Sequence, residues 1–120
     1  MKVQTGATVR QSLSGSAAVS AGGTPNAVFT ATGTISVGQI KFTLEGGNGQ
    51  NADTFAATIA SGLGAAWNGT LCSYNMNGVN TYIFTLPDGY TMFAGDALNF
   101  SFPNSGNLTW GIEVIYAGIF

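Results

Sequence analysis

Apolar residues recur at every second position through the last third of the chain, residues 82–120, in short runs separated by Gly, Asn and Pro. Successive side chains of a strand point to opposite faces of a sheet, so this period is typical of strands that bury one face. The two clearest rows are Leu98, Phe100 and Phe102, then Trp110, Ile112, Val114 and Tyr116. They predict two strands of a hairpin joined by the loop 103–107. Residues 82–86 are apolar on both faces apart from Thr85, which predicts a central strand.

The same pattern continues upstream, where turn residues interrupt it about every ten positions. We predict one long strand over 27–37, with Gly33 at a bulge, and an amphipathic strand over 39–45. The segment 51–67 contains apolar residues that fit both a helical and a strand period. Its glycines and threonines disfavour a helix, so we predict a strand there.

Turn-forming residues divide the middle of the chain. The Asn-Gly pair at 77–78 is the strongest two-residue hairpin signal, and we expect it to turn a strand within 70–76 back into 79–86. The Pro-Asp-Gly run 87–89 and the Ala-Gly-Asp run 94–96 predict turns on either side of a further short strand.

About seven to nine short strands with this turn spacing predict an all-β fold, a single antiparallel β-sandwich of jelly-roll or immunoglobulin-like type. The sandwich domain is predicted over 25–120. A chain of 120 residues can bury a core that needs no disulfide or metal. Residues 1–24 are poor in apolar side chains and rich in Gly, Ser, Thr and Ala. We interpret them as an extended N-terminal arm or a first edge strand.

The residue inventory excludes most catalytic chemistry. The chain has no histidine and one cysteine, Cys72, which excludes Ser-His-Asp and Cys-His catalysis, His-metal sites and an internal disulfide. Among the acidic residues, Asp88 and Asp96 occupy turn sequences and Glu113 lies on the polar face of its strand. Paired carboxylates for glycoside hydrolysis are therefore not expected. We predict no enzyme activity, no cofactor and no metal.

The loop after the strand 39–45 is rich in side-chain oxygens. Asn48, Gln50, Asn51 and Asp53 lie close together in the sequence, as the ligands of a calcium loop do. Only Asp53 is charged, so we interpret the segment as a solvated glycine-rich loop.

The charge balance limits the partners. The chain has 3 Lys or Arg against 5 Asp or Glu, and 7% of its residues are charged. Nucleic acids and anionic membranes are bound by clustered basic residues, so neither is an expected partner. A weakly charged surface rich in Thr, Asn and Gly is typical outside cells, yet residues 1–6 lack the apolar core of a signal peptide. A virion protein that folds in the host cytoplasm and is released by lysis would have both this surface composition and no signal peptide. The alternative explanation is that the numbering starts at an engineered Met or at a mature terminus.

The segment 93–116 carries a resemblance to a known class of protein. Its Gly-Asp turn, apolar strand, Asn- and Gly-rich loop and Thr-Trp-Gly strand resemble the C-terminal strands of small β-sandwich virion proteins of tailed bacteriophages. The segment 32–44 is similar in kind. The resemblance implies a capsid decoration (cement) protein or a head fibre or spike subunit, located in the virion. The partners it implies are the major capsid protein and the protein's own copies in a homo-oligomer such as a trimer.

The N-terminal arm and the apolar C-terminus are the segments that we expect to make these contacts. The ends of a chain usually fray in water, and fraying here would expose two large apolar side chains. We therefore expect the last two residues to be buried in the sandwich or against another subunit. The residues predicted for capsid or subunit contact are Val3, Val9, Arg10, Leu13, Ile119 and Phe120.

Two other functions remain open. The protein is alternatively a carbohydrate-binding module or lectin, with Trp67 and Tyr90 as exposed aromatic residues that contact the glycan. It is otherwise a subunit of an extracellular filament, in which residues 1–24 complete the sheet of a neighbouring copy.

Overall fold

The structure, a computed structural model, describes residues 4–15, 17–23 and 26–119. These residues contain one short 3-10 turn, Ala65–Trp67, and no α-helix, and the all-β prediction is confirmed. The segment 51–67 contains a strand, as predicted, and the 3-10 turn follows it. The strands are β1 Gln4–Gly15, β2 Val28–Thr30, β3 Ile35–Glu45, β4 Thr54–Ala60, β5 Gly69–Asn75, β6 Thr81–Met92, β7 Ala97–Ser101 and β8 Thr109–Ile119.

The strands form two antiparallel four-stranded sheets. Sheet A has the order β1-β8-β3-β6, and sheet B has the order β2-β7-β4-β5. Apart from β4 and β5, every two consecutive strands lie in different sheets. In an immunoglobulin sandwich the first two strands pair with each other, whereas here β1 pairs with the last strand. The strand order is that of a double-sheet jelly roll, one of the two predicted types.

Two predicted hairpins are wrong, because the turn in each carries the chain from one sheet to the other. β7 pairs with β2 and β4, while β8 pairs with β1 and β3. Likewise β5 pairs with β4, and β6 pairs with β3. The turn at 77–78 does form, since the Val79 N–H donates to the Met76 carbonyl at 2.9 Å. Turn chemistry predicts where the chain reverses but not which sheet the next strand joins.

The long strand predicted over 27–37 is two strands. Residues 31–34 leave sheet B and carry the chain to sheet A. The Ala31 N–H donates to the Asp96 carbonyl at 2.8 Å, and the Gly95 N–H donates to the Ala31 carbonyl at 3.0 Å. These two hydrogen bonds tie the crossing point to the loop between β6 and β7.

The strand β6 differs from its prediction in two ways. Its register against β3 shifts between Val37 and Gln39, so the run 87–89 is a bulge inside one strand and not a turn. β6 is also an outer strand of sheet A and not a central strand. The apolar residue that suggested burial of its second face is Ile83, which is 50% exposed.

The core lies between the sheets and contains the rows predicted from the alternation. Phe42 of sheet A stacks on Phe55 of sheet B, with ring centroids 4.3 Å apart and an interplanar angle of 13°. Phe102 packs against the same Phe42 ring at 4.9 Å. An aromatic cluster therefore joins the two sheets at the centre of the sandwich. The largest fully buried side chains are Trp110, Phe42, Phe55, Phe100 and Phe102.

Candidate interaction surfaces

The acid in the Asn- and Gln-rich loop holds that loop in place. Asp53 is buried, and its Oδ2 accepts hydrogen bonds from the Ser105 N–H at 2.8 Å and the Ser105 Oγ at 2.6 Å. Asn51 Nδ2 donates to the same Oγ at 3.1 Å. The prediction of a solvated loop is therefore wrong for Asp53, which fastens the β3–β4 loop to the β7–β8 loop. In the part of the chain that the structure describes, no group of three or more His, Cys, Asp or Glu could hold a metal ion.

A second acid, Asp96, joins two loops at the opposite end of the sandwich. Its Oδ2 accepts the Phe93 N–H at 3.0 Å, and its Oδ1 accepts the Gly62 N–H at 2.9 Å. The hydrogen bonds from Phe93 and Gly62 favour the carboxylate and lower the pKa of Asp96. The charged side chain thus connects the β4–β5 loop, residues 61–68, to the β6–β7 loop, residues 93–96.

These two loops carry three strongly exposed apolar side chains. Leu63 is 76% exposed, Trp67 is 65% exposed and Phe93 is 59% exposed. We call these three residues the apolar tip. The sequence singles out only Trp67 of the three, and the link between its loop and the loop of Phe93 is made by Asp96 from a distant part of the chain.

The loop 61–68 is held by its own polar groups. The Ser61 N–H donates to Asn68 Oδ1 at 2.7 Å, and the Leu63 N–H donates to Ser61 Oγ at 3.0 Å. The Trp67 N–H donates to the Gly64 carbonyl at 3.1 Å. The side chains of Leu63 and Trp67 are therefore presented to solvent by a hydrogen-bonded loop whose polar groups are largely used internally.

The two aromatic residues predicted to contact glycans differ in their surroundings. Trp67 is in a loop and exposed, whereas Tyr90 belongs to β6, opposite Val37, and packs partly buried against the core. Burial raises the pKa of Tyr90, and the Asp96 carboxylate raises it further. Both residues lie at the end of the sandwich that carries Asp96, but only Trp67 is mostly exposed.

A further apolar surface runs along the side of the sandwich where β5 and β6 meet. Tyr74 stacks on Tyr82 with ring centroids 4.5 Å apart and an interplanar angle of 10°, and Tyr74 is 42% exposed. Tyr82, Phe84 and Leu86 pack against the core but are only partly covered. We call these four residues the β5–β6 rim. The sequence did not indicate it, because β5 and β6 were predicted to pair with each other.

The residues predicted for capsid or subunit contact fall at one edge of sheet A or outside the described ranges. β1 is the outer strand beside β8, and Val3 and Phe120 lie outside the residues that the structure describes. The backbone partners are Tyr116 for Val9, Ile115 for Arg10, Ile112 for Leu13 and Gln4 for Ile119.

Comparison with known proteins gives no relative. No protein-family model, no curated protein and no solved structure matches this chain. Among the described residues, no helix is long and apolar enough to cross a bilayer.

Proposed function

We propose that this protein is a structural subunit of a phage virion, which decorates or stabilises the capsid surface through contacts with the major capsid protein and with its own copies. The observation that carries the proposal is the apolar tip, in which Leu63, Trp67 and Phe93 are exposed on loops that Asp96 holds together. A protein partner that covers these side chains would gain about 1.5–3 kcal/mol for each one fully buried.

The chemistry of the tip favours a protein surface as its partner. Both carboxylate oxygens of Asp96 and the amide oxygen of Asn68 already accept backbone hydrogen bonds. A partner therefore meets mainly apolar area, as at the centre of a protein–protein interface. With 7% of residues charged, such contact costs little desolvation of charge.

The fold supports the proposal without identifying the function. Jelly rolls form viral capsid domains, and they also form lectins and cupins, so the fold is shared by several classes of protein. The resemblance of the segment 93–116 to strands of phage virion proteins favours the first class.

Mass spectrometry of purified particles tests the location. We expect the protein in intact virions at one copy or more per lattice vertex. Its absence from particles, or a lower copy number, would contradict the virion role.

A binding assay with empty capsids tests the tip. Leu63→Ser, Trp67→Ser and Phe93→Ser should each weaken capsid binding by about tenfold, because each removes apolar area from the contact. Asn48→Ala, at an exposed position in the β3–β4 loop at the other end of the sandwich, is the matched control and should bind as the wild type does. Equal binding by all four variants would rule out the tip as the contact.

Carbohydrate binding is the second candidate, and the exposure of Trp67 favours it, since an open aromatic ring can stack on a sugar. A glycan array probed with the wild type, Trp67→Ala and Tyr90→Ala distinguishes the two functions. A lectin gives a glycan-specific signal that Trp67→Ala removes, while a structural subunit gives none.

A further inference from the structure

The strand β6 is an outer strand whose free edge lacks the usual protection. Within the described ranges it has a neighbour only on its β3 side. Outer strands usually carry charged residues, because their unpaired backbone groups otherwise pair with other chains. The stretch 81–86, Thr-Tyr-Ile-Phe-Thr-Leu, has no charged residue, and Ile83 is 50% exposed. The stretch has the composition of a strand that is paired on both sides, but β6 is paired only with β3.

The backbone groups on this free edge belong to Thr81, Ile83 and Thr85. The Leu44 N–H donates to the Asn80 carbonyl at 2.8 Å, so residue 80 directs its backbone groups toward β3. Hydrogen-bonding direction alternates along an antiparallel strand. The odd-numbered residues of the stretch therefore direct their N–H and C=O groups away from the sheet.

Pro87 limits the free edge at its far end. It comes next in the same alternation after Thr85 and has no N–H to donate. Pro87 is also the first residue of the bulge 87–89, and both a proline and a bulge are known to stop pairing between sheet edges. The unprotected edge is thus confined to residues 81–86.

We propose that two copies of this chain associate by antiparallel pairing of their β6 edges, centred on Ile83. A two-fold axis at Ile83 places this residue opposite itself and places Thr81 opposite Thr85 of the second copy. All three residues then exchange both backbone hydrogen bonds, which gives about six bonds across the axis. The two four-stranded sheets A become one continuous sheet.

The side chains in this register are mutually compatible. On the outer face, Ile83 meets Ile83 of the second copy and both lose solvent exposure. On the inner face, Tyr82 lies opposite Phe84 of the second copy, and aromatic pairs across strands are stabilising. Tyr82 and Phe84 belong to the partly covered β5–β6 rim, so pairing also completes the cover of the core beneath them.

Charge favours a second copy over a foreign strand. A two-fold interface brings identical residues together at its axis, so any charge there would repel its own copy. The free edge is uncharged, and Lys41, opposite Ile83 on β3, has Glu113 opposite it on its other side. A partner that is recognised by charge would find no opposite charge along residues 81–86.

The pairing concerns the chain alone and does not depend on the virion role. Light scattering of the purified wild type should therefore give twice the 12.2 kDa chain mass, or another even multiple, with no capsid present. The proposal would be overturned if the measured mass stays equal to that of one chain up to a protein concentration of about 1 mM, or if the assembly contains an odd number of chains.

Substitutions that place a charged residue at the two-fold axis test the register. Ile83→Glu and Ile83→Lys each place like charges opposite each other, and each should weaken dimerisation by about tenfold or more. Mixing the two variants places opposite charges at the axis and should restore a dimer that contains one of each. In the single chain the introduced glutamate faces Lys41, so folding should be retained.

Thr30→Glu is the control, because it adds the same charge at an exposed position on β2, the outer strand of sheet B on the side away from β5 and β6. It should dimerise as the wild type does. Dimerisation of Ile83→Glu at wild-type affinity, failure of the mixture to form the mixed dimer, or equal loss of dimer in Thr30→Glu would each refute pairing at Ile83.

Discussion

The indole Nε1 of Trp110 donates a hydrogen bond to the backbone carbonyl of Ala17 at 2.9 Å. Asn104 Nδ2 donates to the same carbonyl, also at 2.9 Å, and Trp110 is only 1% exposed. The segment that follows β1 is thereby attached to β8 and to the loop before it. Val19 continues the attachment, since its N–H and C=O bond to the backbone of Phe102 at 2.9 and 3.0 Å.

We expect Trp110→Phe to lower the free energy of unfolding by about 1–3 kcal/mol, because it removes a buried donor and leaves a cavity in the core. Urea denaturation followed by circular dichroism measures the change. Trp67→Phe is the matched control: Trp67 is 65% exposed, and its substitution should change stability by less than about 0.5 kcal/mol. Equal effects of the two substitutions would show that the Trp110 contact contributes nothing.

Local patterns predict the buried faces of this protein well and its sheet order poorly. Ile40 and Phe100 are buried as their alternation predicts, because the period of two is set by neighbouring residues alone. Whether β6 is central or outer depends on how distant strands pair, and the sequence around Ile83 carries no signal of that pairing.

The candidate surfaces were predictable only in part for the same reason. The loop setting of Trp67 is visible in the sequence, but Leu63 and Phe93 lie on two loops that Asp96 joins from distant parts of the chain. Asp53 appeared solvated because its partner, Ser105, follows it by 52 positions. Contacts of such range follow from the jelly-roll connections and not from local sequence.

Gly49 lies at a close backbone approach, and we expect Gly49→Ala to destabilise the protein by about 2 kcal/mol or more. An added Cβ would collide with the carbonyl oxygen of Met76 and lie 2.7 Å from its Cβ. The backbone cannot easily move away, since Gly49 N–H and C=O both form 2.9 Å hydrogen bonds, to Val79 and Gly78. Thermal denaturation measures the loss.

Gly33→Ala is the counterpart of this substitution. A Cβ at Gly33 meets nothing within 4 Å, so the alanine should be neutral or stabilise by up to about 1 kcal/mol through a less flexible unfolded chain. If Gly49→Ala melts at the same temperature as Gly33→Ala, the close approach of Gly49 to Met76 is not present in solution.

The thiol of Cys72 should react slowly with thiol reagents in the folded protein. Burial raises the pKa of Cys72, and hydrogen bonds with the Ala57 backbone and the Tyr82 side chain offset only part of that rise. The thiolate is the reactive form, so at pH 8 the folded protein contains less of it than an unfolded chain does. We expect labelling in buffer to be slower than in concentrated urea, and to accelerate as the pH rises. Equal rates in the two solvents would show that Cys72 is accessible.

Asp96 should make the stability of the protein sensitive to acid, because its carboxylate joins the loops 61–68 and 93–96. Its pKa is lowered in the folded protein, so its contribution to stability is complete above the ordinary aspartate pKa of about 3.9 and is lost as the pH falls through the folded pKa. In Asp96→Asn an NH2 group replaces one of the two carboxylate oxygens, so the N–H of either Phe93 or Gly62 loses the separate acceptor that it has in the wild type. At pH 7 we expect its melting temperature to be lower by roughly 2–6 °C.

The difference in melting temperature between the wild type and Asp96→Asn should become smaller as the pH is lowered from 6 toward 3. Protonation then neutralises the Asp96 carboxylate of the wild type, so both proteins lack it. Asp88→Asn, at an exposed position in the β6 bulge, controls for the loss of a negative charge and should melt within about 2 °C of the wild type at pH 7. A constant difference across this pH range would mean that Asp96 acts through packing and not through its charge. In that case the two loops that carry the apolar tip are joined by something other than the carboxylate.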